Sequence, residues 1–219
     1  MSRSVFITAT DTGAGKTWVT AHLFRYLLQQ GVDVQALKPL ASGVLASGLN
    51  EDVKTLLDVQ GKTDPLTINF HTYITPVAPA LAANLEGNPI RPKALCDWVA
   101  SKEKNAQITL IEGVGGLMVP LISNQEETWL VGDWLQSMPR IDVMLVVPLR
   151  LGCMNDLLLS SKYLLDIGCP PKWIVLNDID NNQTGKSTIQ VIVPVLKRFF
   201  NVVPQIICVQ KPEDMDIKL

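Results

Sequence analysis

Residues 5–17 read Val5-Phe-Ile-Thr-Ala-Thr-Asp-Thr-Gly-Ala-Gly-Lys-Thr17. A short β-rich run, Val5–Thr8, passes into a loop that ends in Gly-Lys-Thr, and a helical pattern follows over 16–30. Glycines let backbone N–H groups turn inward, and a helix start adds free N–H groups at the positive end of its dipole. Both favour phosphate. In this loop Lys16 can reach terminal phosphates and the Thr17 hydroxyl can ligate Mg²⁺. Counting back from Gly15-Lys16, the first glycine of the standard phosphate-loop pattern falls on Thr10. The bland alternative is a strand–turn–helix with a surface lysine.

Outward from this loop, short apolar runs alternate with helical patterns. Strands are expected at Val5–Thr8, Val34–Lys38, Ile108–Ile111, Val143–Val147, Trp173–Leu176 and Val202–Ile207, and helices near 16–30, 51–59, 91–104, 127–137, 153–166 and 186–200. The stretch 61–90, broken by Pro65, Pro76, Pro79 and Pro89, reads as loops with a short helix. The β-α alternation predicts a doubly wound, mostly parallel α/β sheet in one domain over 1–219. Ligands of such sheets sit beyond the carboxyl ends of the strands. Lys38, Glu112, Pro148–Asn155 and Asn177-Asp178 all fall there.

Composition narrows the function classes. Of 219 residues, 47 % are hydrophobic and 18 % charged, which suits a globular chain with a sizeable core. A net charge of −2 without a basic run argues against nucleic acid as a partner. Cys96, Cys153, Cys169 and Cys208 form no Cys-x-x-Cys pair, and two histidines make a Cys/His zinc site improbable. Scattered thiols, with no export signal in the sequence, fit a cytoplasmic protein. No apolar run approaches the ~18–20 residues that span a bilayer. The tail 213–219 reads as no amphipathic membrane helix.

Five further residues carry candidate chemistry. Glu112, in Leu110-Ile-Glu-Gly-Val-Gly-Gly116, is a carboxylate at a strand tip that suits Mg²⁺, and the glycines around Val114 permit close approach of backbone to ligand. It could instead cap a tight turn. Lys38, in Leu37-Lys-Pro-Leu-Ala-Ser-Gly43, could neutralise charge on a transferring phosphoryl group or equally snorkel at a sheet edge. Asp52 reads by itself as an acid at a helix N-terminus. Asn177-Asp178 alone could be a turn. The five tryptophans are dispersed and read as packing residues.

Together, Thr10-Asp-Thr-Gly-Ala-Gly-Lys-Thr17, Lys38-Pro-Leu-Ala-Ser-Gly43, Glu112-Gly-Val-Gly-Gly116, Leu151-Gly-Cys-Met-Asn155 and Asn177-Asp178 resemble the dethiobiotin synthetase family of the phosphate-loop NTPase fold. The resemblance implies an ATP- and Mg²⁺-dependent ligase. It would close a ureido ring on 7,8-diaminononanoate and CO₂ through a carbamate and a carbamic–phosphoric anhydride, releasing ADP and phosphate. It implies that Gly13, Ala14, Gly15, Lys16, Thr17 and Trp18 cradle the phosphates. Gly113, Val114 and Gly115 would lie against the nucleotide, and Asn177 and Asp178 would serve its base. Thr17, Asp52 and Glu112 would surround Mg²⁺. Lys16 and Lys38 would be catalytic, stabilising charge on the transferring group. Thr12 and Ser42 would contact the diamine end. In a homodimer, Gly152, Cys153, Met154 and Asn155 of one subunit would hold the substrate carboxylate in the other's site.

The chain departs from the family at Ala9, where glycine is usual, at Gly13, at Ala80, where histidine is frequent, and over Gln205–Val209, which lacks Ile/Leu-Pro. Two other readings share the fold. An amidotransferase-type ligase of the cobyrinic acid a,c-diamide synthase kind carries a further glutamine-hydrolysing domain, for which 219 residues leave no room. A partitioning-type switch ATPase carries a second lysine early in the loop, where this chain has Thr10 and Asp11.

Overall fold

The computed structural model describes residues 2–178, 185–215 and 217. The tail 213–219 therefore falls partly outside the described residues. The strands are β1 (Arg3–Ala9), β2 (Val34–Leu37), β3 (Leu40–Ser42), β4 (His71–Tyr73), β5 (Ile108–Glu112), β6 (Pro120–Ser123), β7 (Thr128–Leu130), β8 (Asp142–Pro148), β9 (Pro171–Asn177) and β10 (Gln205–Val209). The α-helices are α1 (Lys16–Gln29), α2 (Glu51–Val59), α3 (Pro79–Glu86), α4 (Pro92–Lys102), α5 (Val131–Gln136), α6 (Cys153–Asp166) and α7 (Gly185–Leu196).

Six strands make one parallel sheet in the order β10-β9-β8-β1-β5-β2. Its strands are apolar without alternation because helices cover both faces. Val5, Phe6 and Ile7 of β1 and Met144 to Val147 of β8 are fully buried. Helix α1 presents Val19, Leu23 and Leu27 at four-residue spacing, and all three are buried. The β1–α1 unit thus occupies the middle of the sheet. Its loop opens where the chain leaves β1 for β2 on one side and later reaches β8 on the other.

Three expectations need correction. The helix expected over 127–137 is shortened to α5, because Thr128 and Trp129 pair antiparallel with Ser123 and Ile122. Asn124 makes that hairpin: its Oδ1 accepts from the backbone N–H groups of Glu126 and Glu127. The last strand is shifted from 202–207 to Gln205–Val209, since Pro204 has no N–H to give the ladder. Within 61–90 a 3₁₀ turn at Pro65–Thr67 and strand β4 accompany the expected short helix, α3. Strand β4 pairs in parallel with β3, which extends beyond the tip of β2 and so holds the Lys38–Ser42 segment over the sheet edge.

Candidate functional site

The loop after β1 is shaped by Gly13 and Gly15, with φ of 74° and 87°, in the left-handed region that glycine occupies without strain. Gly15 caps α1, so the start of that helix faces the cleft. Lys16 is nearly buried, and its Nζ donates one long bond, 3.4 Å, to the Asp11 carbonyl. Burial, joined by the charge of Lys38, lowers its pKa to about 8 against the pull of Glu112, Asp52 and Asp11. An ammonium held in this way has more to gain from an anion than from the protein around it. Anion binding restores the charge, so above pH 8 it takes up a proton and weakens as pH rises. Metal-free tripolyphosphate should lose up to about tenfold in affinity per pH unit above that point. Lys16→Arg should flatten the slope in calorimetric titrations, and a slope that persists in that variant would assign the proton elsewhere.

Beside the loop, four side chains from four segments meet. Thr17 Oγ1 lies 2.7 Å from both Asp52 Oδ1 and Glu112 Oε1. Lys38 Nζ donates to Glu112 Oε1 at 2.7 Å, to the Gly113 carbonyl at 3.0 Å and to Asp52 Oδ2 at 3.0 Å. Lys38 and Glu112 are buried, whereas Asp52 is half-exposed. Burial alone would lower the pKa of Lys38. The charges of Glu112 and Asp52 outweigh it and raise the pKa above the ordinary lysine range. Burial would likewise raise the pKa of Asp52, but the charge of Lys38 and hydrogen bonds from Thr17 and Lys38 bring it below the ordinary carboxyl range.

The cluster also fits a divalent cation. A hydroxyl has one proton and cannot donate to two carboxylates at once. Glu112 Oε2, moreover, is buried without a partner. Hard oxygens drawn from two carboxylates and one hydroxyl suit Mg²⁺, which keeps most of its shell for water and phosphate. Among the described residues, no group of three or more His, Cys, Asp or Glu side chains could hold a metal.

A cleft of about 370 Å³ joins these groups, lined among others by Thr12, Gly15, Lys16, Lys38, Ser42 and Asp52. A larger cavity, about 890 Å³, opens at the amino ends of the strands, around Arg3, Asp142 and Trp173. There Arg3 and Lys172 already neutralise Asp142, and no phosphate loop is near.

A family model described as an AAA domain matches residues 3–213. The ATP-dependent dethiobiotin synthetase BioD of Legionella pneumophila (strain Philadelphia 1) is 41 % identical over 73 % of this chain and 72 % of its own. That of Alteromonas mediterranea is 34 % identical over 83 % of this chain and 82 % of its own. The chain belongs to the dethiobiotin synthetase family. Two solved structures share the fold at lower identity. The septum site-determining protein MinD of Pyrococcus horikoshii, complexed with Mg-ADP, superposes with a TM-score of 0.56 at 19 % identity, over 97 % of this chain and 83 % of that one. The cell division protein FtsY of Thermotoga maritima gives 0.52 at 16 % identity, over 98 % of this chain and 64 % of that one.

The sequence-derived residues of this dethiobiotin synthetase family member separate into two groups. Thr12, Gly13, Gly15, Lys16, Thr17, Lys38, Ser42, Asp52, Val114 and Gly115 line the one cleft. Glu112 and the Gly113 carbonyl reach it through Lys38. Ala14 is buried beneath the loop, and Trp18 packs on His22 with ring centroids 4.0 Å apart. The second group is not part of that cleft. Gly152, Cys153, Met154 and Asn155 form the start of α6, with Cys153 buried and Asn155 exposed. Asn177 donates from Nδ2 to the Ala14 carbonyl at 2.8 Å, tying β9 to the phosphate loop, and its Oδ1 is buried without a partner. Asp178 is fully buried and accepts from Gln210 Nε2 at 2.7 Å.

Sequence reading missed two asparagines that hold the site. Asn69 Nδ2 donates to the Lys38 carbonyl at 2.7 Å, fixing the backbone that presents that lysine. Asn50 caps α2, its Oδ1 accepting from the N–H groups of Asp52 and Val53. An asparagine immediately before Glu-Asp and a helical pattern is a capping signal that was available in the sequence.

Proposed function

We propose that this chain closes a ureido ring on 7,8-diaminononanoate, using CO₂ and ATP. One amine adds to CO₂ to give a carbamate. The γ-phosphoryl group of ATP passes to a carbamate oxygen, leaving ADP and a mixed anhydride. The second amine then attacks the carbonyl carbon, losing its proton, and phosphate departs with the C–O bonding pair. The reading is carried by one observation: the phosphate loop, Lys38 and Ser42 line the same cleft. A transferring group and the atom that receives it would meet there.

In this reading the loop N–H groups and Lys16 bind the phosphates. Lys38, held between Glu112 and Asp52, offers positive charge at the point of transfer. Thr12 and Ser42 orient the diamine–carbamate end. Thr17, Asp52 and Glu112 would hold Mg²⁺, which when bound neutralises phosphate charge. Asn177, tied to the Ala14 carbonyl, and Asp178 would serve the base. We place the protein in the cytoplasm, in keeping with four free cysteines. Among the described residues, no helix is long and apolar enough to cross a membrane. Incubation with diamine, bicarbonate, Mg²⁺ and ATP should yield dethiobiotin by mass, with ATP consumption dependent on the diamine. Full-rate hydrolysis without diamine would instead favour a switch ATPase.

A homodimer completes the site in this proposal. Leu151, Asn155 and Leu159 recur at four-residue spacing, and the two leucines are strongly exposed apolar residues that a second copy would cover. Arg150, half-exposed, pairs with Asp156 and Asp11 at 3.1 and 3.5 Å. The anion would rest on the start of α6 in the partner. A helix terminus gives roughly 0.3–1 kcal/mol, up to about 2 when partly buried. A hydrogen bond to a charged group adds roughly 1.5–3 kcal/mol. Asn155→Ala should therefore raise KM for the diamine by about one to two orders of magnitude and leave nucleotide affinity nearly unchanged. Mixing Lys16→Ala and Asn155→Ala proteins should restore part of the activity, since each mixed dimer has one intact site. No recovery after verified subunit exchange would count against the shared site.

A further inference from the structure

Asn50 uses every hydrogen-bonding site of its side chain. Its Oδ1 accepts from the Asp52 N–H at 3.0 Å and the Val53 N–H at 3.2 Å. Its Nδ2 donates to the Ser42 carbonyl at 3.0 Å and the Gly43 carbonyl at 2.8 Å. A carboxamide has two acceptor sites and two donors, so all four are engaged, and the residue is buried. A cap needs only the two acceptor bonds, which serine, threonine or aspartate supply as well. The two donor bonds lie outside the capping role. They run to the last residue of β3 and the glycine after it, where the chain turns with a φ of 84° against Pro76.

We propose that Asn50 is a positioning residue that fixes the Ser42 segment to the start of α2, so that the substrate-side strand and the Asp52 carboxylate move as one body. This rests on the reading that Ser42 contacts the diamine end and Asp52 the metal. One carboxamide spans the two elements, and the Lys38–Asp52 ion pair closes the same ring from the other side. Residues 44–49 between them form a loop closed by the Leu45 N–H to the Leu49 carbonyl at 2.8 Å and the Gly48 N–H to the Leu45 carbonyl at 2.9 Å. The Asn50 side chain adds two bonds across the angle between β3 and α2 that the loop does not supply.

The decisive variant is Asn50→Asp. It keeps both acceptor bonds, and a negative charge suits a helix start. It removes both donors and turns a carboxylate toward two carbonyl oxygens. Amide hydrogen exchange on the unliganded protein reads the tie without any reaction. Gly43 and Val44 donate to the Tyr73 and Ile74 carbonyls, and their exchange should accelerate about tenfold or more, while residues 54–59 of α2 keep their protection. In turnover, KM for the diamine should rise about tenfold, the scale of one or two lost hydrogen bonds, with KM for ATP within about twofold. Asn50→Ala should do the same and also lower the protection of α2. Unchanged exchange at Gly43 and Val44 in Asn50→Asp would overturn the proposal, as would equal loss across α2 or equal rises in both KM values. If the wild-type protein makes no dethiobiotin, the proposed function fails, and the exchange result still decides the tie.

Discussion

Lys16→Ala is expected to reduce turnover by on the order of 10²–10³-fold or more, the cost of losing one donor aimed at developing charge. The structure adds a second expectation that separates this residue from a structural lysine. Lys16 is nearly buried with one long hydrogen bond to a carbonyl, and its pKa falls to about 8. A lysine whose folded pKa lies below its unfolded value opposes folding fully below the folded pKa. That opposition fades as pH rises from about 8 toward the unfolded value. At neutral pH the charge is therefore a cost to the fold. Lys16→Met, which keeps most of the stem's packing, should hold or raise the melting midpoint at pH 7 while turnover collapses. The gain should shrink as pH rises above about 8, as the wild-type amine loses its proton. Melting and initial rates on one preparation measure both. Near-normal turnover would remove Lys16 from the chemistry. A markedly lower melting point would make it structural.

The loop was the most legible part of the sequence because its signal is local. A strand, two glycines at positive φ and a helix start occupy the thirteen consecutive positions 5–17. The neighbouring cluster was legible only in pieces. Lys38 read equally as a snorkelling side chain, and Asp52 as a helix-start acid. What decides them is the pairing of β2 with β5, which sets Leu37 opposite Ile111 and so puts Lys38 beside a carboxylate 74 positions away. No local pattern encodes that register. A local competitor hid β7, where a hairpin through Asn124 overrides a helical apolar pattern. The shift of the last strand, by contrast, was available in the sequence at Pro204. Asn177 shows a third kind of gap. Its position at a strand end was readable, but its bond to the Ala14 carbonyl depends on how β9 stands against the loop. Asn50 was readable as a cap, while its two donor bonds required the path of the Ser42 segment.

Lys38→Met should be the most destabilising single change at the site. The ammonium is almost wholly buried against Glu112, itself fully buried, and all three of its protons are used. Removing it leaves a buried carboxylate with the Thr17 hydroxyl alone and an Oε2 that already lacks a partner. Breaking a buried pair from one side costs about 3–5 kcal/mol, more than the pair itself contributes. Urea unfolding should show that loss. Lys38→Met with Glu112→Gln should regain much of it, because the uncompensated charge is gone. The pH behaviour follows from the same charges. The raised pKa of Lys38 means that its contribution is complete below the ordinary lysine value and fades only as pH climbs through the folded one. The lowered pKa of Asp52 means that its contribution is present above the ordinary carboxyl value and is lost as pH falls through the folded one. The cluster should thus be at full strength throughout the neutral range. Mg²⁺ alone should raise the melting point of Lys38→Met, since a cation can take the place of the ammonium, and should do so much less once Glu112 is also glutamine. A variant within about 1 kcal/mol of wild type, the scale of an exposed pair, would mean that water already screens the cluster. A double variant no more stable than the single one would mean that Lys38 acts by packing and that Glu112 carries no uncompensated charge.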